Sequence, residues 1–308
     1  MTVGALSAAA DPQATPPENK LDTVIVTAPE PRYVAPTRVD RIGRIWAPVL
    51  LNGRGPFRLV LDSGATSSEI TAHVASELGL TPDAHHSVLL RGVVGSIQVP
   101  TVQVQSFSVG DLSFGPLRMP IVPDALGGAD GILGTDRMAG MRVYIDFNHD
   151  LITITRSHNQ RAPDGFLTVP FEVKRGELLV ADAWVGRVRA SAIFDTGGEV
   201  TIGNRALQQA LQGRSAPAAE LPEVIEDVTR KSQDGSSTAA PPIFLGTSLD
   251  NGVIQIGNDR LTYGDMHIFE HWKMTDKPAI LIGMDVLGRL GVLVIDYRRQ
   301  ELQVTLDN

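Results

Sequence analysis

Asp62 and Asp195 each close an apolar run and open onto a small hydroxyl residue and a glycine, in "LVLDSGA" (59–65) and "AIFDTGG" (192–198). An apolar run of this kind reads as a buried strand, so each carboxylate is delivered from a dry, rigid floor. Gly64 and Gly197 let the chain turn sharply and let a second backbone approach. Ser63 and Thr196 offer hydroxyls for ties between loops. If the two loops face each other, their carboxyls become neighbours, and two close carboxylates cannot both ionise cheaply. They share one proton, and the pair titrates in one lowered and one raised step. The ionised member then acts as a base on a trapped water while the protonated member acts as an acid. Such a pair needs no metal, cofactor or covalent intermediate.

One Asp-Ser-Gly is usually a strand-ending turn. Here the repeat is larger. "NGRGPFRLVLDSGA" matches "VGRVRASAIFDTGG", with Gly53 and Gly186 each nine positions before their aspartates. "FSVGDLSFG" (107–115) is aligned with "LTYGDMHIF" (261–269), "GILGTD" (131–136) with "AILIGMD" (279–285), and "VYIDFNHDLITI" with "LVIDYRRQELQV". On this alignment Asp62 to Gly110 spans 48 positions and Asp195 to Gly264 spans 69, so the second copy carries 21 more. The Pro/Ala/Ser-rich stretch 212–242 is the expected site of that insertion, a long loop without an evident hairpin. The expected organisation is a tail over 1–38, a first lobe over 39–157 and a second over 158–308.

The supporting elements read as short strands with few helices. "RIWAPVLLNGRGPFRLVLD" predicts strand, turn, strand, and "SEITAHVASELGL" has helical spacing closing at Gly79. The expected fold class is all-β and bilobal.

The two Asp motifs, with "GILG" and "AILIG" downstream, make residues 41–308 similar to the bacterial aspartyl proteases of the retropepsin/pepsin type. The resemblance implies Asp62 and Asp195 as the catalytic pair, with Ser63, Gly64, Thr196 and Gly197 supporting the loops. It implies that Leu133-Gly134 and Ile282-Gly283 cross beneath the loops. It places a mobile flap at "LLRGVVGSIQV", with Gly92, Val93, Val94 and Gly95 at the tip over the substrate. The implied substrate is an extended polypeptide, cleaved by water, and the implied state is a monomer. Gly198 stands where the family usually carries Ala, Ser or Thr, which suggests a looser second loop. A protease-like module that binds peptide without turnover is the competing reading.

Other features exclude more than they assign. A net charge of −8 with no basic run argues against a nucleic-acid surface, and the absence of cysteine excludes thiolate chemistry. No apolar run reaches the roughly 18 residues of a membrane-spanning helix. "MTVGALSAAADPQ" ends like a signal-peptidase site but lacks a basic start and a full apolar run. It reads either as the remnant of a secretory signal, which with the next feature points to the periplasm, or as a flexible tail. "DTVIVTA", Asp22 to Ala28, resembles a TonB box and so suggests a TonB-like partner met by strand addition; a strand of the chain's own sheet or a segment lying in the cleft are the alternatives. "HIFEH" (267–271) spells a zinc-protease pattern but is expected to be a strand, in which residues four apart stand about 13 Å from each other. "DFNHD" (146–150) has Leu151 and Ser157 where a calcium loop needs Gly and Glu, so a hairpin turn is expected.

Overall fold

The computed structural model describes residues 44–109, 112–149, 151–174, 178–213, 220–246, 254–256 and 260–306, together with a strand at 23–27. In chain order the first half comprises β1 (Thr23–Thr27), β2 (Trp46–Leu51), β3 (Arg54–Leu61), β4 (Glu69–Thr71), α1 (Ala72–Glu77), β5 (Asp83–Arg91), β6 (Ser96–Val104), β7 (Phe107–Val109), β8 (Leu112–Phe114), β9 (Leu117–Val122), β10 (Gly131–Leu133), β11 (Met141–Asp146) and β12 (Leu151–Arg156). Asn52 and Gly53, both at positive φ, make the two-residue turn between β2 and β3. The segment with helical spacing divides: Glu69–Thr71 is a strand paired with β10 and β9, and only the six residues after it are helical. Thr71 ends the strand and caps the helix, its hydroxyl accepting the Val74 N–H.

The second half comprises β13 (Leu167–Pro170), β14 (Glu172–Lys174), β15 (Leu178–Val185), β16 (Val188–Phe194), β17 (Ile202–Gly203), α2 (Arg205–Gln212), β18 (Leu221–Glu226), β19 (Ser232–Ala239), β20 (Ile243–Leu245), β21 (Ile254–Ile256), β22 (Arg260–Tyr263), α3 (His267–His271), β23 (Ala279–Ile282), α4 (Met284–Leu287), β24 (Leu290–Asp296) and β25 (Glu301–Leu306). The fold is all-β with few short helices, as the sequence predicts.

Among the described residues the first lobe's sheet runs β5-β6-β9-β4-β10-β3-β2-β7-β8, and the second lobe's runs β18-β19-β22-β17-β23-β16-β15-β20-β21 with β14 beside β15. The two orders correspond strand for strand, and they correct the internal alignment. β22, carrying "LTY", is the mate of β9, and the mates of β7 and β8 are β20 and β21. The shared Gly-Asp dipeptide is too short a signal to fix register. The described part of stretch 212–242 is likewise not one long loop. It holds the β18–β19 hairpin, the counterpart of β5–β6.

A third sheet, β1-β12-β11-β24-β25-β13, joins the lobes. At its centre β11 pairs antiparallel with β24, with Val143 opposite Ile295, Tyr144 opposite Val294 and Ile145 opposite Leu293. Since Asp146 and Asp296 end the two matched strands, this register is symmetric about the Tyr144–Val294 pair. The Asp146 turn is the expected hairpin, with its carboxylate accepting the Asn148 and His149 N–H groups. β1 pairs with β12, Thr23 opposite Thr155 through Thr27 opposite Leu151, so this part of the TonB-like stretch is a strand of the chain's own sheet. Asp22 and Ala28 lie outside the described residues.

Alternation decides which side chains face the cleft. Leu59 and Leu61 of β3 enter the main core, whereas Val60 between them joins a separate apolar cluster with Trp46, Leu90, Leu126 and Ile132. The second lobe repeats this. Phe194 enters the main core, and Ile193 joins Leu178, Ile202, Phe269, Trp272 and Leu281.

Candidate active site

Two parallel strand pairs set the aspartates. β10 runs beside β3 with Leu133 opposite Leu61, and β23 runs beside β16 with Ile282 opposite Phe194. The Asp62 N–H donates to the Leu133 carbonyl and the Asp195 N–H to that of Ile282, each at 3.0 Å. Immediately afterwards the chain passes under each loop: Thr135 N–H reaches the Ala65 carbonyl at 2.9 Å and Met284 N–H that of Gly198 at 2.8 Å. A Cβ at Gly134 would stand 2.4 Å from the Ser67 carbonyl oxygen, and one at Gly283 would stand 2.8 Å from that of Val200. Only glycine fits beneath the loops.

The loops lock to each other by a symmetric exchange. Ser63 N–H donates to Thr196 Oγ1 (3.0 Å) and Thr196 N–H to Ser63 Oγ (3.1 Å). The hydroxyls pass on to the opposite strands, Ser63 to the Phe194 carbonyl (2.9 Å) and Thr196 to that of Leu61 (2.8 Å). All four groups are buried, so each bond also spares a desolvated partner. Gly64 lies against the Asp195 carboxyl and Gly197 against that of Asp62, where an added Cβ would fall 2.9 Å and 2.3 Å from the carboxyl carbon.

This brings each carboxyl against the glycine of the opposite loop, so that the two acids are neighbours. One oxygen of each is also held by its own loop: Asp62 Oδ1 accepts Gly64 N–H (2.7 Å) and Ala65 N–H (3.0 Å), and Asp195 Oδ1 accepts Gly197 N–H (3.0 Å) and Gly198 N–H (2.8 Å). Burial pushes both acids above the usual range. Asp195 goes further because the Asp62 charge adds to it, while loop N–H bonds and Arg44 restrain Asp62. Gly198 is not loose. Its N–H and its carbonyl are both bonded, and a Cβ there would meet Asp195 Oδ2 at 2.8 Å.

Ser68 and Thr201, each six positions past its aspartate, form a second symmetric tie that the sequence reading missed. Ser68 Oγ donates to Asp136 Oδ1 (2.7 Å) and accepts Gly134 N–H (3.2 Å); Thr201 Oγ1 donates to Asp285 Oδ1 (2.6 Å) and accepts Gly283 N–H (3.1 Å). The signal was present in "LGTD" and "IGMD", whose aspartates recur in register.

Above the aspartates lies a cavity of about 1130 Å³. The β5–β6 hairpin roofs it with Gly92–Gly95 at its tip, closed by Gly92 N–H to the Gly95 carbonyl at 2.8 Å. The β18–β19 hairpin roofs it from the other lobe as a second flap, in a stretch where the sequence shows no evident hairpin and leaves the number of flaps open. The tips cross. Val94 packs in the second lobe's apolar cluster, and Val228 packs against the first lobe's. Val94 N–H donates to Asp227 Oδ2 (2.8 Å), and Lys231 Nζ donates to the Ser96 carbonyl (2.5 Å).

"HIFEH" is helical, against expectation, because Ile268, Phe269 and Trp272 bury one face at helical spacing. Its role is to receive the first flap: Ile268 N–H donates to the Val93 carbonyl at 3.0 Å. Among the described residues no group of three His, Asp or Glu side chains is placed to hold a metal ion, and no helix is long and apolar enough to cross a membrane.

The model of the aspartyl protease family matches residues 47–137, the segment holding Asp62, the first flap and the Leu133-Gly134 crossing. This match supports an aspartyl protease family assignment and, with it, protease function in general. A comparison with curated proteins returns no match.

Proposed function

We propose that the chain is an aspartic endopeptidase that hydrolyses extended polypeptides, with Asp62 and Asp195 as its acid/base pair. The observation that carries this is the meeting of the two Asp loops on the lining of one roofed cavity, each carboxyl lying against the opposite loop's glycine. A peptide entering as a strand meets backbone groups of both hairpins above and presents alternate side chains to the two apolar clusters. The ionised carboxylate takes a proton from a water, whose oxygen bonds to the peptide carbonyl carbon. The protonated carboxyl hydrogen-bonds the carbonyl oxygen as negative charge develops there. The protonated carboxyl passes its proton to that oxygen to give a gem-diol. Its collapse breaks the C–N bond as one hydroxyl proton returns to the pair and the leaving amine takes one from it, so the pair ends with one proton. Ser63 and Thr196 hold the loops in register, and Gly64 and Gly197 leave room for the opposite carboxyl.

Cleavage of a mixed peptide library, followed by mass spectrometry, tests the proposal with Asp62→Asn and Asp195→Asn as controls. Hydrolysis by the parent chain that both variants lose is the expected result. Equal activity in parent and both variants, or a parent that cuts nothing, overturns it.

A further inference from the structure

The two lobes are not chemically equal where they face the substrate. Glu69 lies seven positions after Asp62, and Ile202 lies seven after Asp195. Their strands place them alike. Glu69 of β4 is opposite Ile132 of β10, and Ile202 of β17 is opposite Leu281 of β23. Paired residues point to one face of a sheet, and in both lobes that face is the cleft. Ile202 completes an apolar wall there. In the first lobe the same place holds a carboxylic acid among Val60, Leu90, Pro120 and Ile132 on the cavity wall.

Glu69 is only 4% exposed. Oε1 receives the Ser67 hydroxyl at 3.2 Å, and Oε2 is buried without any partner. The charges acting on it, Asp62 and Asp136, are both negative, and burial with these neighbours raises its pKa to about 8. Among the described residues no cation pairs with it. An unsatisfied buried acid is costly, and Ile202 demonstrates that this fold accepts an aliphatic side chain at the position. A cation or donor entering the pocket would satisfy the acid.

We infer that Glu69 is a specificity-determining residue, giving the first-lobe pocket a preference for a lysine or arginine side chain of the substrate next to the scissile bond, while the second-lobe pocket around Ile202 takes an aliphatic or aromatic one. The inference rests on the endopeptidase reading for the term scissile bond, though not for the binding preference. A substrate ammonium or guanidinium supplies Oε2 with a charge-assisted hydrogen bond, and its alkyl stem packs on Val60 and Ile132.

Affinity for hydroxyethylene peptides, in which the scissile amide is replaced, tests this. Lysine and norleucine are compared on each side of that unit in turn. On one side lysine is expected to bind about tenfold more tightly than norleucine, because the pocket's acid is left unpaired by norleucine. Glu69→Gln brings the two peptides to near equality, and Glu69→Ile, the second lobe's own solution, reverses the preference. Norleucine favoured on both sides by the parent chain, or a lysine preference that survives both substitutions, overturns the inference. So does an effect of Glu69→Gln on the pH profile of cleavage alone. A parent that cleaves amide peptides without lysine preference leaves the protease reading standing. Glu69-dependent lysine binding without any cleavage does the reverse.

Discussion

The Val94 amide on one flap donates to the Asp227 carboxylate on the other at 2.8 Å, and each flap leans its tip valine on the opposite lobe. The carboxylate also takes the Thr229 N–H at 2.8 Å, so it is held in place to receive Val94. The two hairpin tips are therefore latched to each other above the aspartates.

Removing the latch tests that reading. A hydrogen bond to a charged group contributes about 1.5–3 kcal/mol, so Asp227→Ala is expected to raise the opening equilibrium of the tips by roughly tenfold or more. Hydrogen exchange at Val94 and Gly95 reads this directly. Exchange in the main-core strands β3 and β16 stays as in the parent.

Thr196→Val keeps the shape of the side chain and removes its hydroxyl. The Leu61 carbonyl loses its donor and the Ser63 N–H its acceptor, both buried. The expected loss is about 1–3 kcal/mol for each stranded group, measured by urea denaturation, with Thr196→Ser near the parent.

Two acids make stability fall as pH rises. Unfolded, Glu69 ionises near 4.5, and in the fold only near 8. Below 4.5 both states keep the proton. Between 4.5 and about 8 the unfolded chain sheds a proton that the native chain retains, so native stability declines across that window and levels beyond it. Glu69→Gln removes the decline, and its advantage over the parent grows by about 2–5 kcal/mol from pH 4 to pH 8. Asp195→Asn acts with the same sign from 3.8 upward, since burial and the Asp62 charge raise that acid too. Thermal melts across pH check both. For the same reason the acid limb of the cleavage profile is expected above 3.8.

Gly198→Ala adds a Cβ that meets Asp195 Oδ2 at 2.8 Å. We expect the carboxyl to be displaced and kcat/KM to fall by about tenfold or more, with KM little changed. Steady-state kinetics on the best library peptide settles it.

What the sequence made legible was local. Asp62 and Asp195 sit in seven-residue patterns whose apolar approach, hydroxyl and glycine all have fixed physical uses, and the family resemblance placed the first flap at Gly92–Gly95. The second flap was not legible, because β18 holds a Pro and two Glu, β19 is rich in Ser, and both are defined by their place beside β22. Aligning "GD" at 110 and 264 concealed that place. Ile268, Phe269 and Trp272 carried helical spacing that a two-residue alternation outweighed. Glu69 was hidden for a related reason. "SEITAHV" reads as the exposed start of a helix, whereas pairing with β10 turns those three residues into a strand and drives the acid inward.

The Tyr144–Val294 pair is where the chain meets its own duplicate, strand against like strand in a register that reads the same from either side. An interface of that kind is what two identical copies would build between them, here carried inside a single polypeptide. Cutting the chain between the halves would leave β11 and β24 each with a bare row of amides and carbonyls. Neither half would be a smaller protein, and each would be a sticky edge in search of the other.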